Sequence, residues 1–307
     1  MKTQSRLEKV LASGALAVTS ECGPPRGARP EKIKEKAELL RGCVDAINVT
    51  DNQTAMVRMS SWAASIIIRQ MGLDPVLQMV TRDRNRLAMQ ADIIGAYSHG
   101  INTMLCISGD HPHFGDHPMA ANVYDLDSVQ LVQAVAGMRD TGRFQGGKDI
   151  DGPPAMFVGA AANPFADPFE LRVMRLAKKI SAGADFIQTQ CVYNLDKFEK
   201  WMQGVCERGL HEKAYILAGI TPMKSAGMAR YMKNRVPGMD VPDEVVKRME
   251  SVPKEKQPEE GIKLAVESIQ RLKEVKGVSG FHIMAIEWEE KVSEIVEKAG
   301  LLPRPDL

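Results

Sequence analysis

The chain has 307 residues, 44% of them hydrophobic, with 40 basic against 39 acidic side chains and a formal net charge of +1. So balanced a charge supplies no field that would gather nucleic acid or an anionic membrane surface, and no stretch is apolar enough to span a bilayer. The amino terminus lacks the apolar run and cleavage site of a secretory signal, which predicts a cytoplasmic protein. Cys22, Cys43, Cys106, Cys191 and Cys206 form no CxxC pair, so neither a disulfide framework nor a self-contained metal or iron–sulfur site is expected.

In chain order, short β-rich apolar segments alternate with longer segments of helical period, the pattern of a parallel sheet covered by helices. Eight strands are predicted: Leu16–Glu21, Ala46–Asp51, Val76–Arg82, Thr103–Asp110, Ala155–Ala161, Phe186–Gln190, Tyr215–Ile220 and Gly280–Ile286. Eight such units argue for a single (β/α)8 TIM barrel over residues 1–307. The segment Val236–Gly261, with four prolines and many charges, reads as an insertion before the last strand carrying a short helix at Asp243–Glu250. A doubly wound sheet is the weaker reading, because no GxGxxG follows the first strand. The run from Gly142 to Lys148 has phosphate-loop spacing, but Asp149 follows it and it leaves a helix to enter a strand, so it reads as a surface loop.

Barrel chemistry gathers where strands end at their carboxyl termini. Glu21 is stopped there by the turn formers Cys22-Gly23-Pro24-Pro25-Arg26-Gly27; it is either a general acid or a rim carboxylate paired with Arg26 or Arg29. Asp110 ends the predicted fourth strand behind Gly109 and supplies a second carboxylate, unless it only caps its loop. His111, His113 and His117 with Asp116 lack helical ligand spacing, and a polar lid loop is expected there in preference to a metal site. Arg82, Arg84 and Arg86 are able to clamp an anion, yet structural pairing is expected for at least two of them. The 18 methionines mostly fall at helical spacing and read as core filling.

These rim residues, in this order, resemble the methylenetetrahydrofolate reductase family over nearly the whole chain. The matching elements are Glu21 with Pro24-Pro25-Arg26, Asn48-Val49-Thr50-Asp51, Arg82-Asp83-Arg84-Asn85, Ser108-Gly109-Asp110-His111-Pro112 and Tyr124-Asp125-Leu126-Asp127-Ser128. Lys179 through Gly183-Ala184 to Thr189-Gln190 and the closing Gly280-Phe281-His282 complete the set. The resemblance implies a flavin, FAD or FMN, and hydride transfer from flavin N5 to the methylene carbon of 5,10-methylenetetrahydrofolate, giving 5-methyltetrahydrofolate. It implies that Glu21 is the general acid at N10 and that Asp110 is a catalytic carboxylate meeting both pterin and flavin. Gln190 falls at the folate-contacting glutamine, and Thr50, Gln78, Ser108, Gly109, Asp125, Asn163 and Lys179 fall at flavin-contacting positions.

Three departures stand out. Gln78 replaces a histidine common in relatives, Asn163 replaces a tyrosine found in some, and Ala226 stands where some place an aromatic against the nicotinamide nucleotide. The last points to a partner redox subunit as electron donor in place of NAD(P)H. Apolar positions on the outer helices are expected to serve an oligomer interface. Two other readings stand beside the reductase: a folate-binding barrel methyltransferase acting with a corrinoid protein, and a non-catalytic subunit.

Overall fold

The computed structural model describes residues 1–307 and holds eight parallel strands in a closed ring. They are β1 (Ala17–Cys22), β2 (Ala46–Val49), β3 (Pro75–Val80), β4 (Thr103–Ile107), β5 (Phe157–Ala162), β6 (Phe186–Cys191), β7 (Tyr215–Ile220) and β8 (Val278–Ile283). Each pairs with its successor, and β8 closes on β1 with Ala17 opposite Gly280 and Thr19 opposite His282. The helices are α1 (Arg6–Ala12), α2 (Pro30–Leu39), α3 (Ser61–Gln70), α4 (Arg86–Ser98), α5 (Ser128–Thr141), α6 (Glu170–Ser181), α7 (Leu195–Glu207), α8 (Ala226–Arg235), α9 (Asp243–Glu250), α10 (Gln257–Lys273) and α11 (Val292–Lys298). This is the expected (β/α)8 barrel, and none of its helices is long and apolar enough to cross a membrane.

All eight predicted strands are present, with Tyr215–Ile220 unchanged and no boundary of the others moved by more than three residues. One shift bears on the site. β4 ends at Ile107, so Asp110 is not the strand's last residue as expected but sits three residues beyond it. Gly109 causes the early exit: its φ of +82° is left-handed, and a Cβ there would come within 2.9 Å of Val80.

Side chains alternate across each strand, so residues two apart share the barrel interior. At the amino-terminal end this interior is apolar: Ala17, Ala46, Val76, Leu105, Phe157, Phe186 and Leu217 form one buried cluster with Leu7, Val10 and Leu11 of α1, which plugs that end. The Phe157 and Phe186 rings stack with centroids 5.1 Å apart. Two carboxylates brace the same end. Asp45 accepts from the Val18 N–H at 2.8 Å and pairs with Arg304 at 2.5 Å; Asp185 accepts from the Val158 N–H at 2.8 Å and pairs with Arg139 and Lys2. With one end sealed and braced, the open end is left for function.

The predicted insertion is helical where expected, at α9. Val241, Val246 and Met249 pack with Met223, Ala226, Ala229 and Met232 into a separate small core beside α10. The segment Gly142–Lys148 is a surface hairpin closed by an Arg143–Asp149 bridge.

Candidate active site

Above the apolar layer, the same inward-facing positions turn polar, and a cavity of about 370 Å³ opens at the carboxyl ends of the strands. That volume lies within the range of small-molecule and cofactor sites. Of the expected site residues, Glu21, Gln78, Asn163, Lys179 and Gln190 line it together.

Glu21 lines the cavity with two neighbours beside its carboxylate. Gln78 Nε2 donates to its Oε1 at 3.5 Å, and His282 Nε2 stands 3.6 Å from the same oxygen. Neither arginine considered as its structural partner takes that role, because Arg26 pairs with Asp116 at 2.5 Å and Arg29 precedes Pro30 at the start of α2. Behind Glu21 runs a buried polar chain across the barrel. His282 Nδ1 lies 2.9 Å from Thr19 Oγ1, and Gln188 Nε2 donates to Thr19 Oγ1 at 3.0 Å. Gln188 and Asn48 then exchange two amide hydrogen bonds at 2.7 and 3.0 Å. Every member is satisfied by another, so this layer is fixed in place despite its polarity.

On the opposite wall, Arg172, Arg175 and Lys179 lie at i, i+3 and i+7 of α6, one helical face, and all three line the cavity. None pairs with a carboxylate. Arg172 donates to the Asp167 and Pro168 carbonyls, and Lys179 Nζ donates to the Ala161 carbonyl at 2.5 Å. Burial, and next the neighbouring charge of Arg175, pushes the Lys179 ammonium below the ordinary lysine range. A converging set of cations without anions is a site for an anionic group such as phosphate. Asn163 is held beside them by the Phe165 N–H at 2.9 Å and the Gly238 carbonyl at 3.2 Å.

The remaining expected residues do not line this cavity. Thr50 is buried and donates to Gln53; Ser108 and Asp110 are exposed beyond the end of β4, with Gly109 between them, and the Asp110 carboxylate accepts from the Thr54 N–H at 3.2 Å. Asp125 accepts from the Arg86 backbone and guanidinium at 2.8 Å, contacts that hold its carboxyl down at about 2. All three loop arginines are paired: Arg82 with Asp83, Arg84 with Asp51 and Asp92, Arg86 with Asp125. In the histidine loop, His111 accepts from the His113 N–H at 3.1 Å and meets Asn122 at 2.9 Å. No group of three or more His, Cys, Asp or Glu side chains is arranged to hold a metal ion.

Arg172, Arg175, Gln188 and His282 line the cavity but were not among the expected site positions. A signal existed for each. The period of α6 places both arginines on the Lys179 face, and strand alternation places Gln188 two residues before Gln190 and His282 two after Gly280.

Such an arrangement defines a (β/α)8 barrel with a carboxylate and a cationic helix face opposed across one rim cavity. The model of the family described as "Methylenetetrahydrofolate reductase" matches residues 6–300, and the chain belongs to that family. Among curated relatives it is 24% identical to "Methylenetetrahydrofolate reductase 2" of Schizosaccharomyces pombe over 83% of this chain and 40% of that one. It is 21% identical to "Probable methylenetetrahydrofolate reductase (NADPH)" of Caenorhabditis elegans over 96% and 44% of the two chains. The chain thus spans less than half the length of these relatives. A solved structure described as an uncharacterized protein from Clostridium thermocellum that binds two copies of 5-methyl-5,6,7,8-tetrahydrofolic acid shares the fold. Its TM-score is 0.66 at 13% identity, with 95% of this chain and 99% of that chain covered.

Proposed function

We propose that this protein is a flavin-dependent methylenetetrahydrofolate reductase catalytic unit that converts 5,10-methylenetetrahydrofolate to 5-methyltetrahydrofolate. The observation that carries the reading is the single cavity, in a chain of this family, with Glu21 on one wall and three unpaired cations on the other.

The residues present fit a flavin. The Arg172, Arg175 and Lys179 face suits a phosphate, and the amides of Gln78, Asn163, Gln188 and Gln190 offer both donors and acceptors to a heteroaromatic edge. Bound there, a flavin, FAD or FMN, supplies the hydride that no protein side chain offers. Glu21 gives a proton to N10 of the folate, which opens the five-membered ring and leaves the methylene carbon electrophilic. Gln190 holds the pterin by its amide. Asp110, Thr50, Ser108, Gly109 and Asp125 keep their assigned contacts on the strength of the resemblance alone, with Asp110 acting from the rim. The whole chain, 1–307, acts as one catalytic unit, and its five free thiols suit a reducing compartment such as the cytoplasm.

Electrons come from a partner redox subunit. Ala226, where an aromatic would stack on a nicotinamide, is buried and its N–H donates to Gln257 at 2.9 Å, so it presents no platform. An oligomer interface on the outer helices completes the proposal.

The test is the visible spectrum of purified protein followed by anaerobic addition of 5-methyltetrahydrofolate. Flavin absorbance that bleaches with this compound supports the reductase; a colourless protein that transfers the methyl group to a corrinoid overturns it. Rapid mixing with NADH and NADPH tests the donor, since prompt bleaching by either removes the need for a partner.

Charge at the α6 face gives a further expected result. Substituting Arg175→Gln or Lys179→Gln weakens FMN binding roughly tenfold each, the loss of one charge-assisted hydrogen bond, and leaves riboflavin, which lacks the phosphate, little affected. Lys179 binds the anion only when protonated. FMN affinity therefore falls as pH rises through its lowered pKa, at a lower pH than an ordinary lysine would give, and this decline is absent in Lys179→Gln. Fluorescence titration with FMN and riboflavin across pH measures both.

A further inference from the structure

We infer that β6 presents the Gln190 amide to the folate as a hydrogen-bond donor, with Cys191 as the positioning residue that fixes its polarity, an inference that rests on the proposed folate contact of Gln190. Three consecutive residues, Gln188, Thr189 and Gln190, line the cavity, although the side chains of a regular strand alternate between its two faces. A β-bulge breaks the alternation: Gln188 stands opposite Leu217 and Cys191 opposite Gly219, three steps on β6 against two on β7. The extra residue is locked in place. Thr189 Oγ1 accepts from the Gly219 N–H at 2.9 Å and donates to the Gln190 carbonyl at 3.0 Å. A Cβ on Gly219 would stand 2.4 Å from the Thr189 carbonyl oxygen and 2.8 Å from that of Gln190, so the close approach needs a glycine.

An amide has one accepting and one donating end, and the chain around the bulge settles which end of Gln190 is free. The pairing of β6 with β5 ends at Thr189, opposite Ala162, so the Cys191 N–H lies beyond that ladder. It donates instead to Gln190 Oε1 at 3.2 Å, and because a backbone N–H can only donate, the atom it meets is the amide oxygen. The Cys191 thiol stands 3.8 Å from the same oxygen. Its other neighbour is Thr221 Oγ1 at 2.7 Å, and that hydroxyl has no second hydrogen-bond partner. The Thr221 proton therefore goes to sulfur and leaves the S–H for Gln190. Burial pushes the thiol up to about 12, so near neutral pH it keeps the hydrogen it donates. Both donors fall on Oε1, while Nε2 bonds to no group of the protein and is left for the cavity.

This polarity sets a rule for the ligand. The pterin atom that Gln190 meets is an acceptor, a carbonyl oxygen or an unprotonated ring nitrogen, and not one of the N–H or NH2 donors of the same ring. A folate turned over in its plane, or an analogue without the acceptor, leaves Nε2 unpaired in a site that excludes water, and binding suffers accordingly.

The test measures the dissociation constant of tetrahydrofolate, which has the same pterin and no methyl group to oxidise, by calorimetry on flavin-loaded protein between about pH 5 and pH 8. Gln190→Ala weakens binding about tenfold, the loss of one hydrogen bond. Gln190→Glu keeps the size of the side chain and an acceptor for Cys191, but it sets an acceptor against an acceptor. Its affinity falls about thirtyfold or more at the alkaline end and recovers as pH is lowered, because the introduced carboxyl gains a proton to donate. Wild type measured at each pH cancels the titration of the other groups on the cavity, Glu21 on β1, His282 on β8 and Arg172, Arg175 and Lys179 on α6; Tyr193, beyond Cys191, is kept neutral by burial. Cys191→Ala frees the amide to turn and weakens binding about threefold, and Cys191→Ser restores a donor and recovers most of the loss. Gln190→Glu carries the test if Cys191→Ala does not fold. A Gln190→Glu variant that binds as tightly as wild type, or that loses affinity relative to it on acidification, overturns the donor polarity, and a Cys191→Ala variant that binds as wild type overturns the role of the thiol. Gln190→Ala separates the two levels: if it binds tetrahydrofolate as wild type does, with the flavin spectrum retained, the folate contact of Gln190 has itself failed.

Discussion

Glu21→Gln is expected to lower methylenetetrahydrofolate turnover by about 10²- to 10⁴-fold, the usual worth of a positioned general acid, while flavin binding and chemical reduction of the flavin by dithionite stay intact. The substitution keeps the size of the side chain and an acceptor oxygen for His282 and Gln78, but an amide has no acidic proton for N10. Because Glu21 lies on β1 and the cationic face on α6, the variant separates proton donation from cofactor binding. Steady-state kinetics together with the visible spectrum reads both. Loss of flavin from the variant would instead make Glu21 a structural residue, and full activity would move the acid elsewhere on the rim.

Gly280→Ala is expected to cost about 3 kcal/mol or more, and to prevent folding if the barrel is only marginally stable. The reason lies at the seam where β8 closes on β1. A Cβ on Gly280 would stand 2.3 Å from the Ala17 carbonyl oxygen and 2.8 Å from its nitrogen, and these are backbone atoms held in the strand ladder. No side chain can rotate to make room, so the strands must separate. Urea unfolding followed by far-ultraviolet circular dichroism measures the loss; a midpoint equal to that of wild type would show that the closure at this pair is looser than described.

The alternation of β-rich and helical segments was enough to count eight strands, because each pattern reflects a local choice: which residues face the core of a repeating unit. Strand ends were less legible. β4 was expected to run to Asp110, but the left-handed Gly109 turns the chain out early, and a single glycine in a β-rich run does not declare its φ. The short insertion helix was read at its true limits, since Pro242 before it and the prolines after it punctuate the chain locally.

Within the site, the ordered rim motifs were sufficient to single out Glu21, Gln78, Asn163, Lys179 and Gln190, which the barrel brings to one cavity. They were insufficient to separate these from Thr50, Ser108, Gly109, Asp110 and Asp125, because a motif records neighbours along the chain and says nothing of which way a loop carries a side chain. Pairing of at least two of Arg82, Arg84 and Arg86 was anticipated from the carboxylates beside them, and all three are paired. What distinguishes them from Arg172, Arg175 and Lys179 is only visible in three dimensions: the first set meets carboxylates, and the second lines the cavity with no carboxylate partner.

By itself, then, the sequence determined the barrel, its eight repeats, the family and a carboxylate on the first strand, all of which depend on residue type and spacing along the chain. The tertiary structure alone decided that His282, from the last strand, stands beside Glu21, from the first. Ring closure makes neighbours of β1 and β8 although Glu21 and His282 lie at opposite ends of the chain, and no local pattern encodes a contact created by closing a circle.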